Sequence, residues 1–167
     1  MKTFIDTNVL VYAHDADAGA RHAAAKALLA QLWDNRSGSL STQVLQEFYA
    51  VATRKFNPPM PRAKARAIVA AYGEWCDVAT EPQLIVAASR LEEEHTLSFW
   101  DALIVQAAIH AGADRLVSED LQDGRRFGTL TIGNPFSGTD LLAAIAPAGR
   151  FREGFRFCEG LVALWRH

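Results

Sequence analysis

The chain has 167 residues, of which 50% are hydrophobic and 22% charged, with a formal net charge of -2. At roughly 100–200 residues per domain this describes a single globular domain with a real core and excludes a disordered or coiled-coil chain. The near-balanced charge also excludes a polycation that holds nucleic acid by bulk attraction, so an anionic partner must be gripped by a local basic patch.

Residues 2–5 form a short run that stops at Asp6-Thr7-Asn8, residue types that cap helices, and predict a strand followed by a helix start. Helices are expected over residues 9–14 and 20–33, the second with Leu28, Leu29 and Leu32 recurring on one side. Residues 35–39, Asn-Arg-Ser-Gly-Ser, break the chain. Ser41-Thr42 caps a third helix to about residue 54, where Val44, Leu45, Phe48 and Tyr49 keep the three-and-four spacing of a buried stripe. Pro58, Pro59 and Pro61 stop it.

Helix is expected again over residues 62–75, then a brief strand over 76–79, and Pro82 sits in the first turn of a helix ending near residue 95. Ser98-Phe99-Trp100-Asp101 opens the most apolar helix, 102–111, closed by Gly112. Residues 115–118 and 130–132 read as strands, with a loop over 119–128 between them. Short strands alternating with helices imply a parallel α/β sheet, in which sites form at the carboxyl ends of strands. From residue 137 to 167 no period holds, and the segment reads as an irregular extension carrying Arg150, Arg152 and Arg156.

The cysteines, Cys76 and Cys158, stand far apart in no CxxC spacing, which argues against a disulfide framework or structural zinc and suits a reducing cytoplasm. No stretch approaches the roughly 18 continuous apolar residues of a membrane span, so a soluble, cytoplasmic protein with no membrane partner is expected.

Four acids stand out by position, and each has a plain structural reading beside the chemical one. Asp6 ends the first strand and could simply cap the next helix, and Asp101 lies three residues after Ser98 in a capping-box spacing. Glu47 interrupts the buried stripe of its helix, and Asp120 follows a strand in what could be an ordinary loop. In a parallel sheet these positions can converge. Carboxylates about 6 Å apart repel by about 3 kcal/mol per pair at an effective dielectric near 20, so such a nest needs relief. No histidine or cysteine accompanies them in ligand spacing, which disfavours zinc and indicates an all-oxygen Mg²⁺ or Mn²⁺ site suited to phosphodiester hydrolysis.

Phe4-Ile5-Asp6-Thr7-Asn8-Val9-Leu10, Ser41-Thr42-Gln43-Val44-Leu45-Gln46-Glu47-Phe48, Phe99-Trp100-Asp101-Ala102 and Leu116-Val117-Ser118-Glu119-Asp120-Leu121-Gln122-Asp123-Gly124 occur in that order. Together they resemble the PIN-domain ribonucleases, and most closely the VapC-type toxins of bacterial toxin–antitoxin pairs. The resemblance spans about residues 1–136, ending at Asn134-Pro135-Phe136, and leaves 137–167 outside the pattern. It implies a three-layer α/β/α sandwich around a parallel sheet of four to five strands, a Mg²⁺- or Mn²⁺-dependent endoribonuclease, an RNA substrate and a cognate antitoxin.

The family's acidic quartet falls on Asp6, Glu47, Asp101 and Asp120, with Asp6, Asp101 and Asp120 expected to bind the ion directly and Glu47 to bind through water or to help position the nucleophile. Asn8 and Ser118 match polar positions that orient the carboxylates, although a helix cap and a strand-end turn explain them equally well. Glu119 and Asp123 are expected in a solvated loop, Trp100 in the core, and His14-Asp15 at a helix end facing solvent. Arg54, Lys55, Arg62, Arg66, Arg125 and Arg126 are candidate RNA phosphate contacts, each equally readable as ordinary charged surface. An apolar helical surface is compatible with a homodimer.

Two other readings remain open: a non-catalytic PIN-like module that binds RNA or protein, and a housekeeping PIN nuclease without an antitoxin. A phosphoacceptor receiver domain also places acids at strand ends, but it needs a lysine near the end of a late strand, and the last lysine here is Lys64.

Overall fold

The computed structural model describes residues 1–138. Residues 139–167, which hold Arg150, Arg152, Arg156 and nearly all of the expected C-terminal extension, lie outside the described residues. A mostly parallel sheet forms from β1 (Thr3–Ile5), β2 (Gly38–Ser41), β3 (Cys76–Val78), β4 (Arg115–Val117), β5 (Arg126–Phe127) and β6 (Leu130–Gly133). The order across the sheet is β3-β2-β1-β4-β6-β5. Every pairing is parallel except β5 with β6.

The helices are α1 (Thr7–His14), α2 (Ala20–Asp34), α3 (Thr42–Arg54), α4 (Arg62–Tyr72), α5 (Pro82–His95) and α6 (Phe99–His110). They pack in two groups, α1 with α2 and α3 and α3 with α4 in one, α5 with α6 in the other. With the sheet this gives the expected α/β/α sandwich. No helix among the described residues is long and apolar enough to cross a membrane.

β1 is central because all three of its residues are fully buried and both neighbours pair with it in register, Phe4 opposite Ser39 on one side and Leu116 on the other. Its carboxyl end delivers Asp6 to the start of α1, and that of β4 delivers Ser118 and Asp120 to the same edge of the sheet. The backbone ties the two ends together, since Asp6 N–H donates to the Val117 carbonyl at 3.0 Å.

Six strands stand where four to five were expected. The unexpected ones are β2, read as a chain break, and β5, read as loop. In β2, Gly38 is required by packing and not by a turn: an added Cβ would lie 2.6 Å from the Trp75 ring. Ser39 is buried in the same strand because its hydroxyl donates to Asp77 Oδ2 at 2.9 Å, so a polar sequence takes a core position. β5 is two residues long, and Gly128 at φ +61° supplies the tight turn into β6. The helix expected to reach residue 75 ends at Tyr72 and tightens into a 3-10 turn over Gly73–Trp75, where Tyr72, Trp75 and Trp33 pack together with ring centres 5.0–6.0 Å apart.

Candidate functional site

Asp6 caps α1 with extended backbone geometry, as its residue type predicts, and its Oδ1 accepts from Thr7 N–H at 2.6 Å. Its Oδ2 accepts from the Ser118 hydroxyl at 2.6 Å and from Asn8 Nδ2 at 3.3 Å. Asn8 Nδ2 also reaches Asp120 Oδ2 at 3.0 Å, so one amide bridges the acids that end β1 and β4. The Asp120 N–H donates to the Ser118 hydroxyl at 3.2 Å. Asn8 and Ser118 therefore orient carboxylates through hydrogen bonds, beyond the capping and turn roles that the sequence left open.

Glu47 lies on α3 and is not solvated at random. Thr7 Oγ1 donates to its Oε2 at 2.6 Å and Gln43 Nε2 to its Oε1 at 2.9 Å. Asp101 opens α6 in the expected capping box, where Ser98 Oγ accepts from Asp101 N–H at 3.1 Å and donates to Asp101 Oδ2 at 2.7 Å. Capping and clustering are thus the same geometry. Asp6, Glu47, Asp101 and Asp120, carried by four separate segments, line a single open pocket with Thr7, Asn8 and Tyr12.

Asp6 is 8% exposed. Burial pushes its carboxyl up to about 6, opposed by the hydrogen bonds from Ser118 and Thr7 and assisted by the charges of Asp120 and Glu47. Among the described residues no arginine or lysine lines this pocket to relieve them.

The family model of the PIN domain matches residues 3–124. The chain belongs to the PIN domain family. No curated protein matches the chain. The fold is shared with a toxin–antitoxin complex from Klebsiella pneumoniae, at 17% identity and a TM-score of 0.57, covering 81% of this chain and 98% of that one. It is shared likewise with VapBC2 from Rickettsia felis bound to a DNA fragment from their promoter, at 18% identity and a TM-score of 0.52, covering 80% of this chain and 98% of that one.

The pocket of this PIN domain offers carboxylate and amide oxygens and, among the described residues, neither a cysteine nor a histidine, a donor set that fits a hard divalent cation. As placed, no group of three such ligand side chains among the described residues stands close enough to hold an ion; the carboxylates are instead engaged by the donors of Thr7, Asn8, Gln43, Ser98 and Ser118. The fit is one of chemistry and charge, with side-chain rotation required to complete it.

Several sequence expectations need correction. Trp100 was expected in the core but is 62% exposed and lines the acid pocket, because it stands in the first turn of α6, ahead of the buried run Ala102 to Val105. His14 was expected to face solvent. It packs edge-on against Phe48 and Tyr72, and burial, with help from the charges of Lys64, His22 and Lys26, lowers its pKa to about 3. Glu119 was expected in solvated loop but is half-buried and held by Tyr12 and Arg21; Asp123 stands in exposed loop as expected, where it accepts from Asn134 N–H at 2.9 Å.

None of the six candidate RNA contacts lines the pocket. Arg54 and Lys55 are exposed at the end of α3, one turn beyond Val51, which does line it. Arg62, Arg66 and Arg126 are exposed elsewhere. Arg125 is committed structurally: it donates to the His95 carbonyl at 2.8 Å, at the end of α5, and lies 4.9 Å from the Phe127 ring centre.

Thr7, Gln43 and Tyr12 were missed. Gln43 had a local signal, four residues before Glu47 on one helix face. Thr7 and Tyr12 had none, because their partners Glu47 and Glu119 are distant in sequence.

Proposed function

We propose that this PIN domain is a Mg²⁺- or Mn²⁺-dependent endoribonuclease, the toxin of a type II toxin–antitoxin pair, acting in the cytoplasm and restrained by a cognate antitoxin. The observation that carries the reading is the gathering of Asp6, Glu47, Asp101 and Asp120 from four segments into one pocket that no basic side chain lines among the described residues. A binding module would gain nothing from such repulsion. The neighbours of like fold, a toxin–antitoxin complex and VapBC2 on a fragment of its own promoter, support the toxin over a housekeeping nuclease.

In this reading Asp6, Asp101 and Asp120 hold the ion directly. The chemistry a hard divalent cation would supply when bound there is neutralisation of the carboxylates, a lowered pKa for a water and stabilisation of the phosphodiester's leaving oxygen. Glu47, held at both oxygens by Thr7 and Gln43, positions the attacking water. Ser118, through Asp6, and Asn8, through Asp120, would orient the carboxylates that take the ion.

The test is RNA cleavage by the full chain with Mg²⁺ or Mn²⁺ and with EDTA. Cleavage that EDTA stops is expected, and Asp6→Asn or Asp101→Asn should remove it while the protein stays folded. Ser118→Ala should cost about 10- to 100-fold, the usual effect of losing a group that orients a metal ligand. Cleavage at the parental rate by Asp101→Asn, or none by the parent chain with any metal, would sink the proposal.

A further inference from the structure

We propose that Arg21, clamped by Glu119, holds a backbone phosphate of single-stranded RNA at the rim of the acid pocket; this rests on the nuclease reading above. Glu119 Oε1 accepts from Arg21 Nε at 2.7 Å and from Nη2 at 2.6 Å, while its Oε2 accepts from the Tyr12 hydroxyl at 2.7 Å. The guanidinium lies 5.6 Å from the centre of the Tyr12 ring. That ring lines the pocket and packs edge-on against Phe136. Glu119 itself stands between Ser118 and Asp120, so the clamp is one residue from the acids.

A guanidinium carries five N–H donors in a rigid fork. The bridge to Glu119 occupies the Nε edge, and the side chain is 51% exposed, so the Nη1 edge is available to an anion. Planar two-point recognition of phosphate is what this geometry suits. Because Glu119 and Tyr12 already order the side chain, little freedom is lost when the anion arrives. A phosphodiester entering a pocket of four carboxylates needs a cation beside it; Arg21 does not line the pocket itself but is held against Tyr12, which does, and by Glu119, the chain neighbour of the lining residue Asp120.

The experiment measures binding of a fluorescein-labelled, mixed-sequence single-stranded RNA by anisotropy across a salt series. It uses the full chain in the Asp101→Asn background with Mg²⁺, with and without Arg21→Gln. One lost phosphate contact on a single strand should flatten the slope of log affinity against log salt by about 0.7. Affinity at low salt should fall about tenfold, as for a hydrogen bond to a charged group. Glu119→Gln cuts the same bridge from the other side but keeps the guanidinium, so its salt slope should stay parental.

In the cleaving parent, Arg21→Gln should raise KM for RNA more than it lowers kcat. An unchanged slope with Arg21→Gln, or equal effects of Arg21→Gln and Glu119→Gln, would reduce Arg21 to a brace and overturn this inference while the nuclease reading stands. So would an unchanged slope accompanied by loss of a protein partner's binding, which would move Arg21 to a protein interface. A parent chain that neither binds nor cleaves RNA would overturn both.

Discussion

Asp6 and His14 sit at opposite ends of α1, and burial pushes both toward their neutral forms, with opposite consequences for acid stability. Asp6 keeps its proton up to about pH 6 in the folded chain against 3.8 for the ordinary group. The native state therefore holds the extra proton between those values, and stability falls as pH rises through that window, by about 3 kcal/mol in total. His14 is neutral down to about pH 3 against an ordinary 6.5. There the unfolded chain holds the extra proton, and stability falls as pH drops from 6.5, by up to about 5 kcal/mol. The two slopes oppose each other between about pH 4 and 6. Urea unfolding in EDTA across that range should show Asp6→Asn losing stability on acidification more steeply than the parent and His14→Phe less steeply. Identical slopes in all three chains would refute both assignments.

At the scale of elements, the helices were largely legible because their signals are local. Pro82 in the first turn of α5 and the Ser98–Asp101 box of α6 lie within a turn of the ends they mark. The strands were harder, since a strand of two to four residues has too few positions for a period to show. β2 is the sharpest case: Gly-Ser-Leu-Ser has the composition of a turn, and it becomes a strand by pairing with β1 and β3, with Trp75 against Gly38 and Asp77 bonded to Ser39. Gly38→Ala should cost about 1–3 kcal/mol by overpacking against the indole. Thermal melting reads this directly, and Trp75→Phe in the same chain should recover part of the loss. A melting temperature unchanged by Gly38→Ala would show that the Trp75 contact is not tight.

For the whole molecule, the proposed site ties ligand chemistry to stability. A cation that binds only the folded chain adds about 2.7 kcal/mol at 100 times its dissociation constant. Mg²⁺ or Mn²⁺ should therefore move the urea midpoint of the parent upward at pH 7 and leave that of Asp101→Asn in place. Equal shifts in both chains would mean that the ion binds elsewhere.

From the sequence alone followed the α/β class, most helix ends and the four acids, because each depends on a short-range pattern: a carboxylate directly after a strand, a cap three residues before its partner, an apolar stripe at helical spacing. Tertiary structure decided what those acids touch. Asn8 spans Asp6 and Asp120, Thr7 holds Glu47, and Arg21 clamps Glu119 from 98 residues away. It also decided that Trp100 faces the pocket and His14 the interior. These outcomes depend on which faces of neighbouring elements meet, and no periodicity within one segment encodes that.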